Sequence, residues 1–309
     1  WLTPSDIFNF LYLTDWEVIK FDKKIIFPFN IPFITSFINK FFEIFLPFLC
    51  LKSIYVCKPK YKNIDLKTQN QTSLSIIIPA RNEEGNIEQI LKRVPIINNK
   101  IELIFVEGNS TDNTWREIQD VSKKFPSLNV KFFQQPGSGK YDAVKFGISK
   151  SNGEFFLILD SDMTVPPEEI KKFYEILNSG KAEMVNGVRL VYPLERDSMQ
   201  YLNFMANKFF SIAFSWIFRQ RISDTLCGTK GMSKNNYLKI INQKNLFKLN
   251  DPFGDFELIF GAYFLNLKIV DIPIRYQKRY YGSTNIRRFF HGTVLLKILF
   301  KLIIKIKIN

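Results

Sequence analysis

Short apolar segments alternate with longer amphipathic segments from Leu74 onward, and this alternation restricts the fold more than any other feature of the chain. The strand-like segments are LSIIIP (74–79), IELIFV (101–106), NVKFF (129–133), EFFLIL (154–159) and AEMVNGV (182–188); the helix-like segments are 82–94, 111–124, 138–150 and 167–178. Alternating strands and helices predict an α/β fold, a mainly parallel sheet with helices on both faces. Near-continuous apolar runs fit strands buried on both faces.

Polar residues follow four of these strands directly. They occupy positions 79–83, 107–109, 135–140 and 160–162. The carboxyl ends of parallel strands meet at one edge of a sheet, and ligands bind in the crevice outside that edge. The four polar segments therefore predict one shared binding site.

Asp160 and Asp162 are separated by a single serine at the end of EFFLIL. Two carboxylates in this position can converge on one hard cation, Mg²⁺ or Mn²⁺, with the other positions left for substrate phosphates. The alternative is an ordinary polar exit from a strand. The loop PGSGKYDA adds two glycines and Lys140, which suit either an anion at a helix N-terminus or a tight turn. Together, these strand ends indicate an enzyme that handles a nucleotide diphosphate.

The chain resembles the inverting family 2 glycosyltransferases, which have the GT-A fold, and in particular the branch of dolichyl- and polyprenyl-phosphate sugar synthases. The resemblance rests on the segments SIIIPARNEEGNI, EGNSTDNTW, GSGKYDAVKFGI, ILDSDMTVPPEEI, DTLCGTKG, DPFGDFEL and RYYGSTNIRR, which span residues 73–290 in the family's order. It implies transfer of a sugar, with inversion and a divalent metal, from a nucleotide-diphosphate sugar to an acceptor.

The same resemblance implies three groups of site residues. The donor would be bound by Pro79, Ala80, Arg81, Glu83, Glu107, Gly139, Lys140, Asp142, Asp160, Ser161 and Asp162. Phosphate or acceptor groups would be bound by Arg189, Lys230, Arg275, Arg279, Ser283 and Asn285. The catalytic set would be Asp160, Asp162, Asp224, Asp255 and Glu257, with Asp160 and Asp162 as the metal ligands. Thr164 stands where many polyprenyl-phosphate enzymes carry a glutamine ligand.

Two acceptors remain open. A polyprenyl phosphate is already anionic and needs no general base, whereas a glycan hydroxyl must lose a proton to a carboxylate. Asp224, Asp255 and Glu257 are the candidates for that carboxylate, and the sequence does not rank them. The family branch and the basic C-terminal region favour the lipid phosphate.

The C-terminal segment TVLLKILFKLIIKIKIN carries Lys297, Lys301 and Lys305 at intervals of four residues. As a helix it has a cationic stripe on a broad apolar surface, and it is too short and too charged to span a bilayer. It fits an interfacial membrane helix and a helix docked on the protein's own core equally well. The net charge of +14 also suits nucleic acid, but the acidic sheet edge does not, so no nucleic-acid partner is expected.

Residues 1–60 resemble the C-terminal end of a class I methyltransferase, and they lack a glycine-rich S-adenosylmethionine loop. Because the chain begins on Trp1, within a helical pattern, we expect a missing methyltransferase part in a longer chain. The expected domains are the remnant at 1–60, a linker at 61–72, the GT-A domain at 73–288 and a basic amphipathic helix at 289–309.

Three cysteines without metal-ligand spacing indicate a reduced, cytoplasmic protein, which can associate peripherally with the cytoplasmic membrane face. Two other functions fit the sequence less well than sugar transfer. A sugar-1-phosphate nucleotidyltransferase would need a glycine-rich loop with arginine and lysine after the first strand, and PARNEEGN does not supply one. A catalytically silent scaffold for a methyltransferase partner would not need the D-x-D motif or the populated sheet edge.

Overall fold

The computed structural model describes residues 2–60, 72–97, 100–193, 201–243, 251–282 and 288–308. Its strands are β1 (Trp16–Lys24), β2 (Lys52–Pro59), β3 (Leu74–Ala80), β4 (Ile101–Glu107), β5 (Val130–Gln134), β6 (Phe155–Ile158), β7 (Met184–Val188), β8 (Lys230–Ser233) and β9 (Ile269–Pro273). β1 and β2 form an antiparallel hairpin, and the other seven form one sheet in the order β5-β4-β3-β6-β8-β7-β9.

The helices follow the strands in the predicted alternation. They are α1 (Pro4–Leu13), α2 (Ile34–Phe45), α3 (Ile87–Arg93), α4 (Thr114–Lys124), α5 (Lys140–Lys150), α6 (Ile170–Asn178), α7 (Tyr201–Phe218), α8 (Lys234–Asn242), α9 (Asp255–Phe264) and α10 (Arg288–Ile303), which continues as a π-helical turn, Ile304–Ile308. The predicted α/β fold is therefore confirmed. All five predicted strands between residues 74 and 188 are present.

The direction of the strands decides which residues reach the functional edge. β3 to β6 are parallel, and β7 pairs in parallel with β9. β8 lies between β6 and β7 and is antiparallel to both. Its first residue, Lys230, therefore lies at the carboxyl edge, where the other strands end.

The sheet separates two apolar cores. Ile76 and Ile78 of β3 pack on the side of α3, α4 and α6, whereas Ile77 packs on the side of α5, α7, α9 and α10. Adjacent strand residues point to opposite faces, so a strand without polar residues supplies both cores. The predicted strands β3, β4, β6 and β7 are thus buried on both sides, whereas β5 is a partly buried edge strand.

The β1–β2 hairpin lies against the amino edge of the sheet. Lys58 pairs with Glu183, and Glu17 pairs with Lys268, in both cases just before a sheet strand begins. Lys20 Nζ also lies 2.6 Å from Asn266 Oδ1. The hairpin is therefore held largely by polar contacts, on the side of the sheet opposite the predicted site.

The C-terminal helix α10 is docked on the protein's own core. Leu295, Ile298, Leu299 and Leu302 are buried in the same core as Phe256 of α9. The prediction of a helix docked on the protein's own core therefore holds for one face of α10. Leu296 and Phe300, on its other face, are exposed.

None of the helices in the described ranges is both long enough and apolar enough to cross a membrane.

Candidate active site at the carboxyl edge of the sheet

Asp160 and Asp162 lie just beyond β6, and each is paired with a cation. Lys140 Nζ lies 2.6 Å from Asp160 Oδ1, and an Arg279 guanidinium nitrogen lies 2.5 Å from Asp162 Oδ2. The backbone of Gly228 packs against the first pair so closely that a Cβ there would lie 2.2 Å from Asp160 Oδ2. Four predicted site residues, from three different parts of the chain, thus meet at one place.

The two aspartates fit a hard divalent cation as its protein ligands. Both are carboxylates, the donors that Mg²⁺ and Mn²⁺ prefer, and both side chains are mostly buried. In the described part of the chain, no cluster of three or more acidic, histidine or cysteine side chains could complete such a site. Oxygens of a substrate diphosphate and of water can supply the remaining ligands of such an ion. Thr164 donates through its hydroxyl to Asp162 Oδ1 at 2.7 Å and so orients that carboxylate.

Ser161 lies between the two aspartates and is buried. Its hydroxyl donates to the backbone carbonyl of Pro79 at 2.8 Å, which fixes the D-x-D turn to the end of β3. Ala80 is buried as the last residue of β3, and Arg81, directly after it, is exposed. The predicted donor residues of the first strand therefore border the two aspartates.

Glu83 is buried beside the D-x-D turn. Its Oε2 accepts from Asn86 Nδ2 at 2.6 Å, and its Oε1 lies 3.6 Å from Arg279. Burial, together with the charge of Asp162, raises the pKa of Glu83 to about 7. Arg279 therefore spans two carboxylates, one from each loop.

The loops after β3 and β4 are locked together. Asn82 and Asn109 have left-handed backbones, with φ of 58° and 55°, a conformation that asparagine tolerates better than most residues. Asn82 Oδ1 accepts from the Thr111 amide at 2.8 Å. Glu107 Oε1 accepts from the Ser110 amide at 2.5 Å, so this buried carboxylate is oriented at the edge.

The loop after β5 leads into α5, whose first residue is Lys140. Gly139, with φ of 87°, precedes this helix, and no side chain caps its N-terminus. Gln135 Nε2 donates to Asp142 Oδ2 at 3.2 Å, and Asp142 packs against Gly137. The loop thus directs a helix N-terminus and Lys140 toward the D-x-D turn, as the anion-binding interpretation requires.

A second charged cluster adjoins the first. Lys230 is fully buried, and its Nζ lies 3.0 Å from Asp255 Oδ1. Burial lowers the pKa of Lys140, but the charges of Asp160 and Asp255 outweigh that effect and raise it above its usual range. Lys140 therefore connects the D-x-D turn to the start of α9.

Glu257 lies two residues after Asp255, in the first turn of α9. Tyr141 donates its hydroxyl to Glu257 Oε1 at 2.5 Å, and burial raises the pKa of Glu257. Asp251 caps α9, because its Oδ2 accepts from the Phe256 amide at 2.8 Å. Asp251 and Tyr141 were missed in the sequence. For Asp251, the signal was its position shortly before a helix; for Tyr141, no local signal exists.

Asp224 sits apart from these groups in a closed ion pair. Arg189 donates to both of its oxygens, at 2.8 and 2.9 Å, and the aspartate is fully buried. Burial alone would raise the pKa of Asp224, but Arg189 lowers it overall. This pair holds the end of β7 against the segment before β8.

The segment after β9 crosses the loop that follows β3. The Tyr281 ring packs against Gly85, where an added Cβ would lie 2.6 Å from the ring, and Gly282 lies near the Asn82 carbonyl. Arg275 is exposed directly after β9. Ser283 and Asn285 lie outside the described residues. Arg279 is thus the predicted phosphate-binding residue that this segment brings into the site.

Comparisons with known proteins agree with this geometry. Residues 75–240 match the family described as Glycosyl transferase family 2. The chain is 31% identical over 120 residues to dolichol-phosphate mannosyltransferase of Pyrococcus furiosus, covering 38% of this chain and 33% of that protein. It is 26% identical over 111 residues to undecaprenyl-phosphate 4-deoxy-4-formamido-L-arabinose transferase of Proteus mirabilis, covering 35% and 34%. The chain thus spans about a third of the length of these relatives.

A solved structure shows the same fold. Glucosyl-3-phosphoglycerate synthase of Mycobacterium tuberculosis, crystallised with Mn²⁺, uridine diphosphate and glucosyl-3-phosphoglycerate, superposes with a TM-score of 0.54. The match covers 75% of this chain and 80% of that protein at 16% identity. The same synthase has also been crystallised with Mg²⁺ and uridine diphosphate. The central sheet and its helices are therefore those of the GT-A glycosyltransferases.

Proposed function

The chain belongs to glycosyl transferase family 2, and from that premise we propose that it transfers a sugar from a nucleotide-diphosphate sugar to a polyprenyl phosphate. One observation carries the proposal. Two carboxylates and two cations, Asp160 with Lys140 and Asp162 with Arg279, converge at the carboxyl edge of a GT-A sheet. Such a set can bind a diphosphate and its counter-cation together, because each charged group has a complementary partner in the ligand.

The donor would lie across the ends of β3, β4 and β6. Glu107, held by the Ser110 amide, would accept hydrogen bonds from the base or ribose. Lys140, Arg279 and the N-terminus of α5 would turn toward the diphosphate oxygens. A Mg²⁺ or Mn²⁺ ion held by Asp160 and Asp162 would supply Lewis-acid stabilisation of the leaving diphosphate.

The reaction would be a single displacement with inversion. An oxygen of the acceptor phosphate forms a bond to the anomeric carbon while the bond from that carbon to the diphosphate oxygen breaks. The nucleoside diphosphate leaves with the bonding electron pair, and no proton is transferred. Lys140 and Arg279 would stabilise the negative charge that grows on the leaving group.

A lipid phosphate is the favoured acceptor because of the relatives and of the local charges. Both relatives named above carry a polyprenyl phosphate in their names. Lys230, at the start of β8, adds a buried cation next to Asp255 on the side of the site away from the nucleotide loops. We place acceptor recognition there. A protein using such an acceptor would work at the cytoplasmic face of a membrane.

A glycan hydroxyl is the second candidate, and one observation favours it. Burial raises the pKa of Glu257, which suits a general base better than the closed pair of Asp224 with Arg189. In that case Glu257 would accept the hydroxyl proton, with Tyr141 orienting it. Asp224 would have a structural role with either acceptor.

The deciding experiment for the donor is a thermal-shift panel of nucleotide sugars, each with and without Mn²⁺ or Mg²⁺. Metal-dependent stabilisation by one nucleotide class, absent in Asp160→Asn, is the expected result. If well-folded protein responds to none of them, the chain acts as a silent scaffold and the proposal fails. Radiolabelled sugar transfer to a polyprenyl phosphate, compared with transfer to soluble glycans, then separates the two acceptors.

We also keep the proposal that residues 1–60 close a methyltransferase-like unit in a longer chain. It is supported by the antiparallel pairing of β1 with β2, which forms a two-stranded sheet apart from the main one. A longer chain from the source genome that folds with bound S-adenosylmethionine would support this, and one without a methyltransferase motif would exclude it.

A further inference from the structure

The exposed side of α10 carries an apolar stripe beside its two exposed lysines, Lys297 and Lys301. Leu296, Phe300 and Ile304 recur at every fourth residue and are exposed, Phe300 to 62%. A helix that only covers a core normally presents polar residues outward. The outer stripe of α10 therefore needs a second explanation.

Two further helices expose apolar stripes of the same kind. α7 packs against α10, and α2 contacts the π-helical turn that continues α10. The exposed apolar residues are Leu202, Met205, Phe209 and Ile212 on α7, Ile34, Phe37 and Phe41 on α2, and Phe33 directly before α2. We call these eight residues, together with Leu296, Phe300 and Ile304, the three-helix face. Exposed apolar residues concentrated on three contacting helices indicate an interaction site, whereas isolated apolar residues need no explanation.

The charges beside these stripes have one sign. α7, α10 and the π-helical turn contain no aspartate or glutamate, and the cations on them whose side chains the structure describes are Lys208, Lys297, Lys301 and Lys305. The acidic residue of α2, Glu43, is buried and paired with Lys24. An apolar surface bordered by cations complements an anionic lipid surface.

The face begins beside the acceptor side of the candidate site. The His291 ring in the first turn of α10 packs on Phe253, with ring centroids 5.0 Å apart. Phe253 lies between Asp251 and Asp255, at the start of α9. A lipid surface in contact with α7 and α10 would therefore lie close to Asp255 and Lys230.

We propose that the three-helix face docks on an anionic membrane surface and holds the acceptor side of the site at the level of the lipid headgroups. The C-terminal helix would then act as part of a folded surface and not as a free amphipathic tail, because Leu295, Ile298, Leu299 and Leu302 are committed to the core. The proposal rests on the proposed function in one respect, namely that the acceptor is a lipid phosphate.

The test is co-flotation of the full chain with vesicles of phosphatidylcholine alone or mixed with phosphatidylglycerol. We expect binding to the mixed vesicles that weakens with added salt. The double variant Phe209→Glu/Phe300→Glu should lower the partition coefficient at least about tenfold, because two aromatic side chains leave the interface and two negative charges enter it. Ile96→Glu is the matched control, since Ile96 is 80% exposed on the loop after α3 and should not change binding.

Two further measurements keep the outcome decisive. If the double variant does not fold, Lys297→Glu/Lys301→Glu tests the same face through exposed side chains and should reduce binding to anionic vesicles only. Failure of the native protein to float, or equal flotation of the double variant and the control, would overturn the proposal. A dimer in light scattering that the double variant dissociates, without vesicle binding, would assign the face to a second copy of the chain. The nucleotide-sugar thermal shift reports on the proposed function separately, because it needs no lipid.

Discussion

The two edges of the central sheet both carry pairs of a basic and an acidic side chain but differ in how those pairs are surrounded. At the carboxyl edge, Lys140 pairs with Asp160 and Arg279 with Asp162. At the amino edge, Lys58 pairs with Glu183 and Lys268 with Glu17. All eight side chains are partly buried, so neither burial nor pairing tells the edges apart.

The two edges differ in the number of charged side chains that meet at one point. At the carboxyl edge each cation faces more than one carboxylate, because Arg279 also reaches Glu83 and Lys140 also feels the charge of Asp255. At the amino edge, each pair joins the β1–β2 hairpin to the rest of the domain. Where several charges of both signs meet, a charged ligand can replace some of the ion-pair partners. An isolated ion pair, by contrast, only holds two elements together. This difference gives four ways to test the comparison.

The largest effect should follow loss of an aspartate at the carboxyl edge. Asp160→Asn removes a proposed metal ligand and leaves Lys140 without its partner, so we expect sugar transfer to fall on the order of a thousandfold. Glu183→Gln removes a carboxylate at the amino edge and should change the rate by less than about twofold. Initial rates of nucleoside diphosphate release measure both. Equal losses in the two variants would remove the functional distinction between the edges.

Stability should also respond unequally. Lys230 is fully buried, so Lys230→Met leaves Asp255 buried without its cation and should lower the free energy of unfolding by about 3 kcal/mol. Lys58→Met breaks a half-exposed pair and should cost less than about 1 kcal/mol. Urea unfolding followed by circular dichroism gives both values. A cost for Lys58→Met as large as that for Lys230→Met would mean that the hairpin is as integral to the fold as the site.

Lys140 should lower the affinity of the protein for a divalent metal ion when no nucleotide is bound. A divalent ion entering next to Asp160 must displace the ammonium group or lie beside it, and like charges at that distance repel strongly. Lys140→Met should therefore bind Mn²⁺ about tenfold more tightly than the native protein without nucleotide. Lys131→Met, which removes the partner of Glu102 at the amino edge, is the control and should not alter binding. Electron paramagnetic resonance of free Mn²⁺ follows the titration, and unchanged affinity in Lys140→Met would show that the ammonium does not compete.

The smallest effect is a difference in pH dependence between two glutamates. Burial raises the pKa of Glu83 to about 7, so the folded state retains a proton that the unfolded state releases near 4.5. Its contribution to stability therefore falls as pH rises from about 4.5 to about 7. Burial would likewise raise the pKa of Glu102 at the amino edge, but hydrogen bonds from Lys131, Ser75 and the Asn152 amide lower it overall. The contribution of Glu102 to stability is present above about pH 4.5 and is lost as the pH falls through its lowered pKa.

Melting temperatures measured with a chelator between pH 3.5 and pH 8 separate the two groups. Glu83→Gln should remove the decline between about pH 4.5 and about pH 7, and Glu102→Gln should remove part of the decline at acidic pH. The same slope in both variants would mean that the two edges do not differ in the environment of their carboxylates.

Local patterns were sufficient for the alternating elements between residues 74 and 188 and for most positions at the site edge. The run EFFLIL predicts a buried strand because every residue after Glu154 is apolar, and the D-x-D turn after it lies where a parallel sheet places its ligands. Glu83, Glu107 and Lys140 were expected at the same edge for the same reason, and the structure brings them together. β8 was not among the predicted strands, because GMS between polar residues carries little strand signal and its antiparallel insertion depends on β6 and β7.

The three candidate bases show what local patterns leave undecided. Asp224, Asp255 and Glu257 each occupy a plausible motif in the sequence. Their differences come from partners far along the chain: Arg189 closes a fork around Asp224, Lys230 binds Asp255, and Tyr141 binds Glu257. No spacing rule predicts such pairs, because the residues meet only after the sheet has formed.

The C-terminal helix shows the same limit on a larger scale. Its sequence determined a helix with lysines at intervals of four and apolar residues elsewhere, because helix periodicity depends on neighbours in the chain. Only the tertiary structure decided that Leu295, Ile298, Leu299 and Leu302 complete the core, while Leu296, Phe300 and Ile304 remain outside beside α7. Helix and strand propensities are set within short stretches of chain. Which of two apolar faces is buried, and which cation holds which carboxylate, depends on surfaces that distant segments bring together.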